Sequence, residues 1–174
     1  GHLPRVIREA GGNPIMYKTG HSLMKAKMKE IDAPFAGEMS GHFFFGERWY
    51  GVDDGIYAAA RLLEILTNTG KRLRELLSDV PPMVNTPEIR MDCPDELKFQ
   101  VVEALSTEFK KDHPVIDVDG ARVLFDGGWG LVRASNTQPA LVLRFEAGTE
   151  ERLQEIREVF MERVQRAMNA VAPS

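Results

Sequence analysis

Short apolar runs alternate with helical patterns over the first 82 residues, which is typical of an α/β domain. The spacing predicts a helix over residues 3–10 and a second helix that Ser22 caps and that runs to about Glu30. Strands are predicted over residues 14–17 and 34–36, and each ends just before a polar loop. Because ligands bind beyond the carboxyl ends of strands in such sheets, these loops are expected to share one rim.

A third helix is predicted after Asp53 and Asp54, either of which can act as its N-cap. Its apolar stripe is expected to face the core, with Arg61 and Glu64 outside. The members of this stripe are Ile56, Ala60, Leu63 and Ile65 or Leu66. A helical turn near residues 71–77 precedes Pro81 and Pro82, which cannot continue a helix. A domain boundary near residues 80–86 therefore divides the chain into 1–82 and 85–174.

The pattern of residues 85–174 predicts a small antiparallel sheet covered by two helices. Strands are expected at 86–91, at 115–118 and 121–125 on either side of the turn signal Asp119-Gly120, and on both sides of a polar loop at 133–139. Helices are expected over 95–109 and 150–170, the second capped by Thr149. The inner stripe of this last helix consists of Leu153, Ile156, Phe160, Val164 and Ala167.

The sequence GEMSGH at residues 37–42 places a carboxylate, a hydroxyl and an imidazole within five residues. If this segment is extended, Glu38, Ser40 and His42 point to the same side. A carboxylate can accept hydrogen bonds from two neighbouring sugar hydroxyls, a serine can donate or accept, and a histidine can move a proton near neutral pH. The trio therefore suits a polyol ligand, and a polar turn between two apolar runs is the plainer alternative.

The sequence RASNTQP at residues 133–139 carries groups suited to a phosphate monoester. Arg133 can form charge-assisted bonds to two phosphate oxygens. Ser135, Asn136 and Thr137 add neutral polar groups in a turn whose backbone N–H groups can converge on an anion. An ordinary polar connection between two strands is the alternative. The two loops together predict recognition of a sugar and of a phosphate.

These motifs resemble those of bacterial phosphomannomutase/phosphoglucomutase, in the α-D-phosphohexomutase superfamily. The resemblance runs in order through KTGHS at 18–22, GEMSGH at 37–42, DDGIYAAARLLEIL at 53–66 and GWGLVRASNTQPALVLRFEA at 128–147. The family's serine-bearing TASHNP-type loop and its DGDGD magnesium loop do not occur in this sequence. The chain thus looks like a C-terminal fragment that begins inside the third of four domains.

The resemblance implies a partial α/β domain with a mixed sheet, followed by an α+β domain with a TATA-binding-protein-like fold. It also implies interconversion of hexose 1- and 6-phosphates of glucose or mannose through a phosphoserine enzyme and a bisphosphate intermediate, glucose 1,6-bisphosphate. Mg²⁺ is implied for the full-length enzyme, with ligands that this chain lacks, so the resemblance implies no metal site here. The fragment is expected to be inactive alone and to need the missing N-terminal half as its partner.

The resemblance also assigns roles to individual residues. Glu38 and Ser40 match residues that bind the sugar's 3- and 4-hydroxyls, and His42 matches a position beside the transferred phosphoryl group, where it could transfer a proton. His21 lies in a ligand-binding motif, which also contains Lys18 as a further candidate. The group that matches the loop around the phosphate that is not transferred consists of Arg133, Ser135, Asn136 and Thr137.

Composition narrows the class of protein and its partners. The net charge is −4, with 11 basic and 10 acidic residues in 1–84 but 11 basic and 16 acidic residues in 85–174. This balance disfavours a nucleic-acid-binding domain, so phosphate binding is expected to be local. The single cysteine, Cys93, excludes an internal disulfide framework. No apolar stretch approaches membrane-spanning length and no signal-peptide pattern opens the chain, so a cytoplasmic location without membrane contact is expected.

Two further expectations concern how the chain behaves by itself. A stand-alone, non-catalytic phosphosugar-binding or regulatory module remains an alternative to the mutase fragment, and it predicts stable folding and tight binding without another domain. A chain that starts partway through an α/β domain has lost a strand of its sheet, and an unpaired edge invites pairing with another chain. A dimer through this exposed sheet edge is therefore expected.

Overall fold

The computed structural model describes residues 1–171, so the last three residues of the predicted second domain, 172–174, lie outside the described residues. None of the described helices is both long and apolar enough to span a membrane. The helices are α1 (Leu3–Glu9), α2 (His21–Ile31), α3 (Gly55–Thr69), α4 (Asp95–Phe109) and α5 (Glu150–Val171), with a 3₁₀ helix at Leu73–Leu77. The strands are β1 (Phe35–Gly37), β2 (Phe43–Phe45), β3 (Val84–Asn85), β4 (Ile89–Asp92), β5 (Val115–Ile116), β6 (Ala121–Phe125), β7 (Gly128–Ala134) and β8 (Ala140–Ala147).

The described chain divides into two compact units. One unit comprises residues 16–81, and the other combines residues 1–15 with the described residues from 82 onwards. Both units contain helices and strands, which agrees with the predicted α/β and α+β classes. The second unit is built on an antiparallel sheet in the strand order β3-β8-β7-β6-β5, and β4 also pairs with β8.

Helices α4 and α5 pack against each other and against this sheet, and the core lies between them. Phe109 of α4 stacks on Phe160 of α5, with ring centroids 4.8 Å apart, and Phe145 of β8 meets Phe160 edge to face. All three side chains are fully buried. Gly130 of β7 makes this packing possible, because a Cβ atom there would lie only 2.6 Å from the Phe160 ring. The sheet therefore packs in direct contact with α5.

Several predictions for this unit are confirmed. Helix α4 has the predicted bounds, and the five predicted inner residues of α5 are all buried. Thr149 Oγ1 accepts a hydrogen bond from the backbone N–H of Arg152 at 3.2 Å, so Thr149 does cap α5. Strands β5 and β6 pair across the Asp119-Gly120 turn as an antiparallel hairpin. Arg133 is the second-last residue of strand β7 rather than a loop residue, so only residues 135–139 form the connection to β8.

The unit of residues 16–81 is built around the two-stranded hairpin β1-β2 and the helices α2 and α3. Phe44 of β2 is fully buried. Asp54 caps α3, because its Oδ1 accepts from the backbone N–H of Tyr57 at 2.9 Å. Two predictions here were wrong: residues 14–17 form no strand, and α2 begins at His21 with Gly20 as its N-cap. A strand needs a neighbour for its backbone hydrogen bonds, and no described strand runs beside residues 14–17.

The predicted core stripe of α3 was also wrong, because Ile56, Ala60, Leu63 and Ile65 are exposed and only Leu66 is half-buried. Ile56 is 87% exposed and Leu63 is 63% exposed. The helix instead turns Tyr57 and Glu64 towards the segment that follows β2, where the Tyr57 ring stacks on Trp49 at 4.3 Å and Glu64 pairs with Arg48 at 3.1 Å. Aromatic stacking and an ion pair select this face, and the apolar face has no cover within the described residues of this unit.

Candidate functional site

The GEMSGH segment forms the tight turn of the β1-β2 hairpin and is not extended. The backbone N–H of Glu38 donates to the carbonyl of His42 at 2.9 Å, and that of Gly41 donates to the carbonyl of Glu38 at 3.0 Å. Gly41 has φ +90°, a conformation that glycine adopts without strain and that three-residue hairpin loops require. The prediction that Glu38, Ser40 and His42 point to the same side of an extended segment was therefore wrong, because the chain reverses its direction within this turn.

Glu38 and Ser40 nevertheless lie together at the tip of the hairpin. Ser40 Oγ donates to Glu38 Oε2 at 3.3 Å, and Glu38 Oε1 accepts from the backbone N–H of Gly20 at 3.0 Å. The Glu38 carboxylate therefore ties the start of α2 to the hairpin. Glu38 is half-buried and Ser40 is exposed, so neighbouring hydroxyl groups of a polyol can reach both side chains from solvent. Lys18 lies in the irregular segment before Gly20 and is exposed.

His42 turns towards Asp53 instead of towards Ser40. The distance between His42 Nδ1 and Asp53 Oδ2 is 2.7 Å, and the other carboxylate oxygen of Asp53 accepts from the backbone N–H of Phe43 at 3.1 Å. The hydrogen bond from His42 lowers the pKa of Asp53 below its ordinary value, and the Phe43 N–H adds to this shift. The carboxylate is held ionised, and it fixes the imidazole by one of its two nitrogens.

His21 completes this cluster from the first residue of α2. Its Nε2 lies 3.7 Å from Asp53 Oδ2, and its ring meets the His42 ring edge to face, with centroids 4.5 Å apart. The buried Phe44 ring supports His21 from another side at 5.4 Å. The structure thus brings His21, Glu38, Ser40 and His42 into one region of the unit, and it adds Asp53, which the sequence suggested only as a helix cap.

The connection between β7 and β8 is a turn organised by Ser135. The Ser135 hydroxyl is buried and accepts from the backbone N–H groups of Gln138, at 3.2 Å, and Thr137, at 3.4 Å. The backbone N–H of Ser135 donates to the carbonyl of Ala140 at 2.9 Å. Ser135 therefore shapes the loop from within, while Asn136 and Thr137 are exposed on its surface. Its own hydroxyl proton remains able to donate to a ligand.

Two cationic side chains, Lys98 and Arg133, lie beside this turn. Lys98 of α4 is 6% exposed, and its Nζ donates to the carbonyl of Gln138 at 3.2 Å and to Asp95 at 2.6 Å. Arg133 is half-buried, and its guanidinium lies 3.8 Å from the Asp119 carboxylate, which is beyond hydrogen-bonding distance. The loose pairing leaves Arg133 donors for an anion. The region combines a rigid turn with a cation that is only weakly engaged.

The donors for a metal ion are limited in the described part of the chain. One group of three or more potential ligands occurs there, His21, His42 and Asp53, whose donor atoms lie within 4.8 Å of one another. Two imidazole nitrogens and one carboxylate oxygen are a poor match for Mg²⁺, which prefers an octahedral set of oxygen ligands. This cluster therefore does not fit a magnesium site.

Comparison with protein families matches almost the whole chain. Residues 1–84 match the model described as phosphoglucomutase/phosphomannomutase, alpha/beta/alpha domain III. Residues 88–163 match the model of the phosphoglucomutase/phosphomannomutase C-terminal domain. The two matches meet between residues 84 and 88, beside the stretch in which the sequence predicted a domain boundary.

Individual relatives agree with these family matches. The phosphomannomutase/phosphoglucomutase of Pseudomonas aeruginosa is 53% identical over 159 residues, which are 91% of this chain and 34% of that protein. A crystal structure of a phosphoglucomutase/phosphomannomutase family protein from Burkholderia thailandensis superposes with a TM-score of 0.85 at 45% identity, over 98% of this chain and 36% of that one. The N-acetylphosphoglucosamine mutase of Aspergillus fumigatus in complex with glucose 1,6-bisphosphate is similar in fold alone, with a TM-score of 0.60 at 14% identity, over 98% of this chain and 37% of that one. The chain therefore spans about a third of the length of the relatives it matches.

Proposed function

This chain belongs to the phosphoglucomutase/phosphomannomutase family, and we propose that it provides hexose phosphate recognition in a phosphohexomutase. The enzyme interconverts hexose 1-phosphates and 6-phosphates of glucose or mannose, and the chain corresponds to its domains III and IV. The proposal rests on two polar loops, the hairpin tip with Glu38 and the turn organised by Ser135, which lie in the two family-matched regions. Without the remaining domains the chain is inactive in phosphoryl transfer.

The hairpin tip is the proposed sugar-binding region. The Glu38 carboxylate has two oxygens fixed by Gly20 and Ser40, so its remaining lone pairs have defined directions. Two adjacent equatorial hydroxyls of a hexose are donors at a matching spacing, and a prepositioned carboxylate costs less ordering entropy on binding. We assign His21, which contacts His42 and lies near Asp53, and the exposed Lys18 as secondary contacts. Glu38 and Ser40 are the groups we assign to the sugar hydroxyls.

The turn after β7 is the proposed phosphate-binding region. Arg133 provides a cation, and Ser135, Asn136 and Thr137 provide neutral groups on a turn whose shape the buried Ser135 hydroxyl maintains. A phosphate dianion gains most from charge-assisted bonds, and the second domain has a net acidic balance that excludes a general positive field as the source of affinity. Binding therefore depends on these local groups.

His42 is the group we propose for proton transfer. When a sugar hydroxyl attacks a phosphoserine of the complete enzyme, its oxygen bonds to phosphorus and its proton is released, while the phosphorus–serine oxygen bond breaks and leaves its electron pair on the serine oxygen. His42 accepts that proton, and returns it when the direction of transfer reverses. The TASHNP-type loop that would carry this phosphoserine does not occur in this sequence.

Two small molecules follow from the proposal as partners of the complete enzyme. Glucose 1,6-bisphosphate is the intermediate, and one structural neighbour was crystallised in complex with this molecule. Mg²⁺ is implied by the family, but the one three-ligand cluster of the described residues does not fit it, so no step on this chain involves the ion. We place the enzyme in the cytoplasm, where sugar phosphates are metabolised, without membrane or nucleic-acid partners.

Calorimetric titration of the chain with glucose 1-phosphate tests the proposal, and Arg133→Ala is expected to weaken binding about 10–100-fold. Loss of a charge-assisted pair to phosphate accounts for this size. Arg157→Ala is the matched control, because Arg157 is an exposed arginine on α5 and its loss changes the net charge equally. Inorganic phosphate, titrated in parallel, should lose affinity in the same variant.

The same titration separates the mutase fragment from a stand-alone phosphosugar-binding module. Weak saturable binding that only Arg133→Ala reduces supports the fragment. Tight binding by the chain alone, without catalysis when other domains are supplied, would favour the module. Equal affinities in Arg133→Ala and Arg157→Ala, or no binding by a folded chain, would contradict the proposed phosphate site.

Self-association through a sheet edge is a further part of the proposal. Strands β1 and β2 pair with each other, and within the described residues their ladder extends only by a single bridge between Phe44 and Asp53. Phe35 is 50% exposed and Phe43 is 40% exposed on this hairpin, which favours pairing with a second copy. Analytical ultracentrifugation at high protein concentration should show a dimer. A monomer at every concentration would overturn this part.

A further inference from the structure

We infer that Asp53 is a positioning residue for His42 and that it holds the imidazole with its proton on Nδ1, so that Nε2 is free to accept a proton. This inference rests on the proposed function of His42 in proton transfer. Asp53 lies eleven residues from His42 in the sequence and is not among the residues that the family's loop motifs assign to the ligand. Its place beside His42 follows from the geometry alone.

The Asp53 carboxylate is oriented by two different bonds. Oδ1 accepts from the backbone N–H of Phe43 at 3.1 Å, and Oδ2 lies 2.7 Å from His42 Nδ1. The first bond ties the carboxylate to the residue directly after His42, so the acid and the imidazole move together. A bridge between Asp53 and Phe44 fixes the Asp53 backbone against the same strand. The carboxylate is therefore a rigid partner and not a mobile surface acid.

The neighbouring acid, Asp54, provides an internal comparison. Both Asp54 oxygens are engaged elsewhere, with Oδ1 accepting from the Tyr57 N–H at 2.9 Å and Oδ2 accepting from Trp49 Nε1 at 3.2 Å. A single acid is enough to cap α3, and Asp54 fills that position. Asp53 is thus free of a capping role, and helix formation does not explain its orientation towards His42.

The imidazole ring is restrained on a second side. His21 meets it edge to face at 4.5 Å, and His21 is itself supported by the buried Phe44 ring. Rotation of His42 away from Asp53 would lose both the 2.7 Å contact and this ring contact. The ring orientation is therefore set by two groups, but only Asp53 distinguishes one ring nitrogen from the other.

The chemical consequence concerns the tautomer. An ionised carboxylate has no proton to donate, so a neutral imidazole must place its proton on Nδ1 to form the bond. The lone pair is then on Nε2. When Nε2 takes a proton from the sugar hydroxyl, the positive charge that forms is stabilised by Asp53, which stays ionised throughout. Orientation, tautomer and charge stabilisation all come from one side chain.

Asp53→Asn tests the inference because it changes one atom. The amide oxygen can still accept from Phe43, so the amide NH₂ faces His42 Nδ1 as a donor and favours the tautomer with the proton on Nε2. Nitrogen-15 NMR of the imidazole in the isolated chain reads this directly. The spectrum of the unsubstituted chain should show protonated Nδ1 in neutral His42, and Asp53→Asn should shift the population towards protonated Nε2.

Asp54→Asn is the matched control for this measurement. It removes the same charge one residue away, and asparagine caps a helix about as well as aspartate does. The His42 tautomer should be unchanged in this variant. An unchanged tautomer in Asp53→Asn, or the same change in both variants, would overturn the inference. Because the readout needs neither ligand nor activity, it stands even if the proposed sugar phosphate function fails.

The effect of Asp53 on catalysis can be measured in a chimera in which this chain replaces the matching third of the Pseudomonas aeruginosa relative. Asp53→Asn should lower kcat by about 10²-fold or more with little change in KM, because ligand contacts remain and proton transfer fails. Asp53→Glu should recover part of the rate. A rise in KM alone, with kcat preserved, would show that Asp53 only supports the sugar loop and would overturn the positioning role.

Discussion

Replacing Phe160 by alanine is expected to lower the free energy of unfolding of its unit by about 3–5 kcal/mol. Phe160 is fully buried at the centre of the core, where it stacks on Phe109 and meets Phe145 edge to face. Gly130 lies directly beneath the ring, and backbone cannot move into the vacated space without breaking the pairing of β7 with β6 and β8. The cavity therefore persists, which places the cost at the upper end for a large-to-small substitution.

Urea denaturation followed by Trp129 fluorescence measures this effect, in a Trp49→Phe background so that one tryptophan reports on one unit. Trp129 lies on β7, in the same sheet that Phe160 covers. Val159→Ala is the control on the same helix, because Val159 is 41% exposed and its truncation should cost little. Similar midpoints for the two variants would mean that α5 does not pack as described.

The helices of residues 85–174 were predicted closely from the sequence for a physical reason. Helices α4 and α5 each bury one stripe, and the residues that form it recur every three or four positions, so the pattern is local and readable. Thr149 caps α5 from the adjacent position, which is again a local interaction. Where a helix is buried through its own apolar stripe, as α4 and α5 are, the sequence predicts the structure closely.

The predictions fail where an element does not pack through its apolar residues or has no strand beside it. The apolar stripe of α3 reads as a core face, yet the helix packs through Tyr57 and Glu64 because the segment after β2 presents Trp49 and Arg48 to it. Residues 14–17 read as a strand, but a strand exists only with a partner. Hydrophobic periodicity records which face of an element is apolar, and it does not record what lies against that face.

The candidate site also has a part that the sequence identifies and a part that only the fold reveals. Glu38, Ser40 and His42 are adjacent in sequence and could be identified as a group, although their turn geometry could not. Asp53 was visible only as one of two successive acids before a helix, and the contact with His42 across eleven residues needs the fold of the hairpin. The sequence did contain one signal for Asp53. A helix needs a single N-cap, so one of the two acids before α3 must have another role.

His42→Ala is expected to cause the largest loss of activity, lowering kcat of the chimera by about 10²–10⁴-fold. His42 is 42% exposed, so its removal leaves little cavity and should not destabilise the hairpin, whose register is set by backbone bonds of β1 and β2. Glu38 and Ser40 keep their mutual contact in the variant, which predicts a KM close to that of the unsubstituted chimera. The loss should therefore appear in kcat.

Chemical rescue distinguishes proton transfer from a structural role for His42. Imidazole added to the His42→Ala chimera can enter the vacated, solvent-accessible position beside Asp53 and accept the hydroxyl proton, so the rate should rise with imidazole concentration. The Arg133→Ala chimera provides the comparison, because it lacks a phosphate contact and not a base, and imidazole should leave its rate unchanged. Equal rescue of both variants would indicate a general effect of the added base, and no rescue together with a raised KM would assign His42 to sugar binding. Rescue confined to His42→Ala would instead place the proton on the imidazole, since an untethered ring can replace the side chain only where its nitrogen carries out the step.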